Sequence, residues 1–149
     1  MKTGHKPRVH KFETSTRWIR LRKGVVSGYD KDPIEIACPP EFGGHYGYWT
    51  AEHLFVASVE ICIMTTFKWL LEKNDGKLVA YESTAIGKAQ MVNGDFRFNE
   101  IEIKPVITVP DAYLSKAKGA IEDAHRQCLI SKALNLKVKV NSVIRCQDG

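Results

Sequence analysis

Four thiols, one carboxylate at the head of an apolar segment and one H-x-x-C pair are the groups in this chain whose types and spacing could do chemistry. The thiols are Cys38, Cys62, Cys128 and Cys146, and no two of them form a C-x-x-C pair. Cys62 stands in the middle of "TAEHLFVASVEICIMTTFKWLLEK", Thr50 to Lys73, ten residues after Glu52. Such a thiol is an inert core residue, a metal ligand or a redox group. Cysteine is among the most often buried residues, so packing is the simplest use of any one of them. Redox work needs a thiolate, and an ordinary thiol ionises only near ~8.5, so neighbours must favour the charge. Metal binding has His125 and Cys128 on one helix face, but a structural zinc takes four ligands and a second closely spaced pair is missing. His5, His10 and His45 share no pattern with them. No metal and no cofactor are expected.

The bulk numbers set the frame. A chain of 149 residues, 44% apolar and 26% charged, is long enough for one hydrophobic core, and a single domain over 1–149 is expected. The net charge of +5 is spread along the chain. Its densest basic run, "RWIRLRK" (Arg17 to Lys23), alternates with Trp18, Ile19 and Leu21, as a strand with one wet face does. No nucleic-acid partner is expected from it. No apolar run follows the basic start, so no secretory signal is read. Glu60 and Lys68 interrupt the longest apolar run short of the ~20 residues a bilayer span requires. A cytoplasmic protein with no membrane partner is the expectation, and there a disulfide framework is unusual.

The elements that must position these groups follow from pattern. Val9–Leu21, Gly24–Tyr29 and Pro33–Cys38 read as strands. "PPEFGGHYGYW" (Pro39 to Trp49) reads as a loop, a packing plug or a pocket wall. A helix capped by Thr50 then runs to "NDG", apolar on nearly every face, so it must be buried on all sides. Lys77–Val92 and Phe96–Val109 form a hairpin around Asn93-Gly94. A second helix opens at Asp111 as N-cap and carries Tyr113, Ala117, Ala120 (or Ile121), Ala124 and Cys128 on one face. Leu136–Cys146 reads as one last strand. The order β-β-β-α-β-β-α-β makes an α+β chain with antiparallel sheet.

This arrangement resembles the OsmC/Ohr family, the osmotically inducible and organic-hydroperoxide-resistance proteins. The family's Pro-Glu-x-Leu-Phe-like element, ten residues before a cysteine in a long helix, matches "TAEHLFVASVEIC". Its "AHxxCP-x-S-x-A" element matches "AHRQCLISKA". The likeness covers nearly the whole chain, and the "PPEFGG" loop is similar to that of some OsmC-like members. Two departures stand out: Ala51 replaces the first proline, and Leu129 replaces the proline after the second cysteine. The family's arginine lies between the first two strands, where Arg22 or Arg20 can match it.

The resemblance implies an OsmC-like fold, antiparallel sheets packed around long buried helices, in an intertwined homodimer. It implies a thiol peroxidase acting on organic hydroperoxides. Cys62 would attack the terminal oxygen of ROOH, giving the alcohol and a sulfenic acid, and Cys128 would condense with it to a disulfide. Arg22 would favour the thiolate, Glu52 would hold the arginine with two parallel bonds, and a thiol or dithiol reductant would reopen the disulfide. Phe42, Tyr46, Tyr48, Trp49 and Phe55 would form the apolar substrate wall. Ten residues of straight helix span about 15 Å, too far for Glu52 and Cys62 to share one arginine. Either the helix is interrupted, or Glu52 of one subunit approaches Cys62 of another. The runner-up is a non-catalytic small-molecule or lipid-binding protein on the same fold, since fold does not fix function.

Overall fold

The computed structural model describes residues 7–147, which fall into two compact units, Met1–Ala51 and Glu52–Gly149. In the first, β1 (Ser15–Arg20), β2 (Lys23–Ser27) and β3 (Ile34–Ala37) form an antiparallel meander in the order β1-β2-β3. The expected first strand, Val9–Leu21, is shorter than its alternation implied. Gly24 is required where β1 crosses β2, because a Cβ there would lie 2.8 Å from the Arg17 carbonyl oxygen. The aromatic loop after β3 is a single 3-10 turn, Pro40–Phe42, followed by Gly43 at φ 75°. It folds back on β3 through Gly44 N–H to Pro39 O (2.9 Å) and His45 N–H to Cys38 O (3.1 Å). The approach is close enough that a Cβ on Gly44 would overlap the Cys38 carbonyl.

The second unit is built on helix α1 (Ala51–Lys73) and the hairpin β4 (Ala80–Val92) and β5 (Asp95–Val109). The Asn93-Gly94 turn has both residues at positive φ, 51° and 86°, as a tight hairpin turn between twisted strands demands. Helix α2 (Leu114–Gln127) follows a 3-10 turn, Asp111–Tyr113. Asp111 therefore lies inside that turn and makes no capping bond, unlike the N-cap expected of it. A short helix α3 (Leu129–Ala133), not anticipated from the sequence, follows directly.

The last strand is also two strands, β6 (Lys137–Val140) and β7 (Val143–Cys146). Both pair with β5 and both run parallel to it, Glu100 opposite Lys137 and Val106 opposite Val143. The break falls at Asn141, whose amide N–H bonds Ile103 O and whose side chain donates to Glu102. A helix between two paired strands forms a crossover, which brings the chain back in the same direction; the sheet is thus mixed rather than wholly antiparallel. Glu100 pins its register. Its carboxylate pairs with Lys88 of β4 at 3.0 Å and Lys139 of β6 at 2.6 Å, and these bonds hold its carboxyl down at about 2.

One core joins these elements. Val59, Ile63, Phe67, Leu70 and Leu71 of α1 meet Ile101, Ile103, Ile107 and Val109 of β5 and Ala117, Ala120, Ile121 and Ala124 of α2. The alternate residues of β5 supply one sheet face, and the alanines of α2 let its backbone come close. By length and composition α1 could cross a bilayer, further than its interrupting charges implied. Its packing is that of a core helix on one side, and Glu60 accepts a hydrogen bond from Ser83 of β4. Its other side is not covered in the single chain: Ile61 is 55% and Trp69 53% exposed.

Helix α1 approaches the hairpin at Gly87, where a Cβ would lie 2.4 Å from Val56 Cγ2 and 2.8 Å from Phe98 Cε1. Gly87→Ala should lower unfolding free energy by about 1–3 kcal/mol, the range for overpacked cores. Gly119→Ala, in open space on α2, should raise it by up to ~1 kcal/mol. Urea denaturation of both variants reads the difference, and equal effects would mean that α1 does not pack against the hairpin at this point.

Candidate active site

Cys62 lies on one flank of α1, half-buried beside the core, with Thr66 one turn further on the same side. Cys128 arrives from the other direction. It ends α2 with its amide bonded to Ala124 O at 2.9 Å, then turns out of the helix at φ −55° and ψ 114°. Its sulfur, 0% exposed, caps α3 by accepting the Ser131 N–H at 3.4 Å. The break between α2 and α3 at Cys128 sets the first turn of α3 against α1. There the Cys62 sulfur meets the Ile130 and Leu129 amides, the Cys128 thiol and the Thr66 hydroxyl.

These contacts treat the two sulfurs oppositely. Burial pushes the Cys62 thiol up, but the Ile130 amide, the Cys128 thiol, the Thr66 hydroxyl and the Leu129 amide together outweigh it, and its net pKa is lowered. Burial also pushes Cys128 up; the Ser131 contacts only partly offset this, while Cys62 adds to the rise. The surroundings thus favour ionisation of Cys62 over that of Cys128.

The other expected site residues take varied places. Glu52 sits in the first turn of α1, and α1 runs without interruption to Lys73, so nearly three turns separate Glu52 from Cys62. Glu52 Oε2 is buried and has no hydrogen-bond partner among the described residues. Phe55 belongs to the second unit and packs on Phe98, ring centroids 4.8 Å apart. Arg22, Phe42, Tyr46, Tyr48 and Trp49 all belong to the first unit. Arg22 occupies the β1–β2 turn, with Arg20 ending β1, and donates to the Phe42 carbonyl. Tyr46 is 87% exposed, Tyr48 accepts from Lys23 Nζ at 3.0 Å, and Trp49 bridges Ile36.

His125, the other half of the H-x-x-C pair, has its Nε2 3.0 Å from Val138 O. Among the described residues no group of three His, Cys, Asp or Glu side chains could hold a metal. Cys38 reaches Phe42 O at 3.7 Å and Cys146 reaches Asp111 Oδ1 at 3.4 Å. Thr66 and the amides of Leu129 and Ile130 escaped the sequence reading. The i+4 spacing of Thr66 from Cys62 could have revealed it; the amides carry no side-chain signal.

A thiol at depressed pKa should react first. Iodoacetamide at neutral pH and below one equivalent is expected to label Cys62 well ahead of Cys128, which is buried and whose pKa is raised. Peptide mapping by mass spectrometry decides it, and equal labelling would contradict the opposite shifts of the two thiols.

The comparisons with known proteins agree on the fold. The model of the OsmC-like protein family matches residues 43–143. An OsmC-like protein of unknown function from Vibrio cholerae superposes with a TM-score of 0.82 at 16% identity, over 91% of this chain and 100% of its own. An organic hydroperoxide resistance protein from Elizabethkingia anophelis superposes at 0.73 with 22% identity, over 95% and 100%. One from Legionella pneumophila does so at 0.72 with 20% identity, over 93% and 98%. No curated protein matches the sequence.

Proposed function

Because this chain belongs to the OsmC-like protein family, we propose that it is a thiol-dependent peroxidase that reduces organic hydroperoxides. The reading is carried by one observation: Cys62 and Cys128 are in contact, with the first thiol lowered and the second raised. The names of the hydroperoxide-resistance proteins that share its fold add support. The Cys62 thiolate attacks the terminal oxygen of ROOH and breaks the O–O bond. The alkoxide takes a proton and leaves as the alcohol, and Cys62 becomes the sulfenic acid. The Cys128 thiol then attacks that sulfur, water leaves, and a Cys62–Cys128 disulfide remains. An external thiol or dithiol returns the two electrons.

The same proposal includes a homodimer with sites shared between two copies. An unbroken α1 keeps Glu52 about 15 Å from Cys62 of its own chain. Among the described residues, Glu52 Oε2 lacks the donor that a buried carboxylate needs. The uncovered apolar side of α1, with Ile61 and Trp69, is the surface a second copy would bury. In this arrangement Glu52 of one copy holds Arg22 beside the Cys62–Cys128 pair of the other. The guanidinium would donate to the peroxide oxygens, and Phe42, Tyr46, Tyr48, Trp49 and Phe55 would give the site its apolar wall.

Titration of the reduced protein with cumene hydroperoxide should remove two thiols per chain at about one equivalent, one oxygen atom being transferred per disulfide. Mass spectrometry should find a Cys62–Cys128 link, and Cys62→Ser should abolish turnover. Slow loss spread over all four cysteines would sink the peroxidase reading in favour of a carrier, whose binding would survive Cys62→Ser.

The shared site has its own test. Cys62→Ser and Glu52→Ala chains, each inactive alone, should regain about a quarter of wild-type activity when unfolded and refolded together, as random pairing of symmetric dimers gives. No recovery, or a monomer at micromolar concentration in sedimentation equilibrium, would rule out sites built from two copies.

A further inference from the structure

We propose that His125 is a positioning residue for Cys128: its imidazole closes the segment that presents the second thiol to Cys62. This rests on the reading that Cys62 and Cys128 join in a disulfide. It gives a use to the histidine of the H-x-x-C pair, which belongs to no metal-binding group among the described residues. The bond itself is direct. His125 Nε2 lies 3.0 Å from the Val138 carbonyl oxygen, 13 positions along the chain. A carbonyl only accepts, so Nε2 carries the proton and donates. Between these two residues run the end of α2, the break at Cys128, the whole of α3 and the link into β6. The hydrogen bond therefore ties the two ends of that segment together at its base.

Both ends of the segment have firm anchors, and its middle does not. On the α2 side, Ala124 is fully buried and its carbonyl accepts the Cys128 N–H at 2.9 Å. On the β6 side, Val138 stands opposite Ile101 of β5, itself fully buried. Between them, α3 has five residues and buries none of them fully, and Cys128 has left helical geometry at ψ 114°. The Cys128 sulfur accepts the Ser131 N–H at 3.4 Å. That bond lies within the segment and moves with it, so it does not place the thiol relative to α1. Burial keeps Cys128 in the core, but the hydrophobic effect has no direction and does not aim a sulfur. The His125 bond is directional, and it joins the segment to the sheet whose β5 shares a core with α1. Aim matters here. A disulfide needs its two Cα atoms about 4.4–6.8 Å apart and a narrow dihedral range, and the advantage of a tethered reactant falls as its placement loosens.

The experiment compares the full chain with H125A, H125N and H125Q. A glutamine amide can put an N–H where Nε2 stands; an asparagine is polar but too short to reach. Each protein is equilibrated without oxygen in buffers of reduced and oxidised glutathione, and the Cys62–Cys128 disulfide is counted by mass spectrometry. Cys62 attacks oxidised glutathione and releases one glutathione thiol; Cys128 then displaces the second, leaving the protein disulfide. The equilibrium gives the effective concentration of Cys128 toward Cys62. H125A and H125N should lower it roughly fivefold, the weight of one net hydrogen bond, and H125Q should restore most of it. Circular dichroism reads the melting temperature beside it. Variants that melt lower with an unchanged effective concentration would overturn the proposal, and so would an H125Q as impaired as H125A. If the variants fail to fold, nitrogen NMR of the wild type decides: the His125 ring must be protonated at Nε2, and a ring protonated at Nδ1 alone would overturn it. Cumene hydroperoxide oxidation of the wild type is run in parallel. A disulfide made by glutathione but not by hydroperoxide would sink the peroxidase and leave the role of His125 standing; a disulfide made by neither would sink both.

Discussion

A negative sulfur at the edge of an apolar core must be given hydrogen-bond donors, because burial alone favours the neutral thiol. In the second unit, groups of that kind lower the Cys62 pKa. Helix α1 supplies the sulfur and one hydroxyl, Thr66. The rest come from the single place where α2 stops and α3 begins. Cys128 occupies that break, and its conformation turns two amides and its own thiol toward α1. A continuous helix through residue 128 would have spent those amides on its own carbonyls.

The rest of the unit holds the break in place. The alanines of α2 bring it close to the core that α1 and β5 share, and Cys128 is the last member of that core cluster. From α3 the chain returns to β5 and pairs with it in parallel twice, as β6 and β7. His125, one turn before the break, is bonded to Val138 of β6. The end of α2 is therefore fixed from the core side through Cys128 and from the sheet side through His125. Glu100 joins β4 and β6 across β5 through two lysines and sets their register.

Helix α1 serves two surfaces with one sequence. Val59, Ile63 and Phe67 face the core, while Ile61 and Trp69 face outward from the single chain. An all-round apolar helix in a small unit leaves surface that its own chain does not bury. Cys62 lies on the flank between the two, close enough to the core to be shielded and close enough to the open side to be reached.

The sequence by itself determined the order of the elements as far as the second helix, the Asn93-Gly94 hairpin and the greasy helix from residue 51, and its family-like motifs singled out Cys62 and Cys128 as candidates. These were legible because hydrophobic period, turn residues and motif spacing are local properties. Only the tertiary structure decided the rest. The parallel pairing of β6 and β7, their separation at Asn141, and the short helix α3 depend on which strand edge the chain meets after α2. The burial of a Glu52 oxygen with no donor among the described residues depends on packing that no single position encodes. The environment of Cys62 is the plainest case. Of the four groups that lower its pKa, two are backbone amides and one is a thiol 66 positions away, so little in the sequence near Cys62 announces the shift. A backbone donor has no letter in the sequence; it becomes visible only once the fold has set it beside its acceptor.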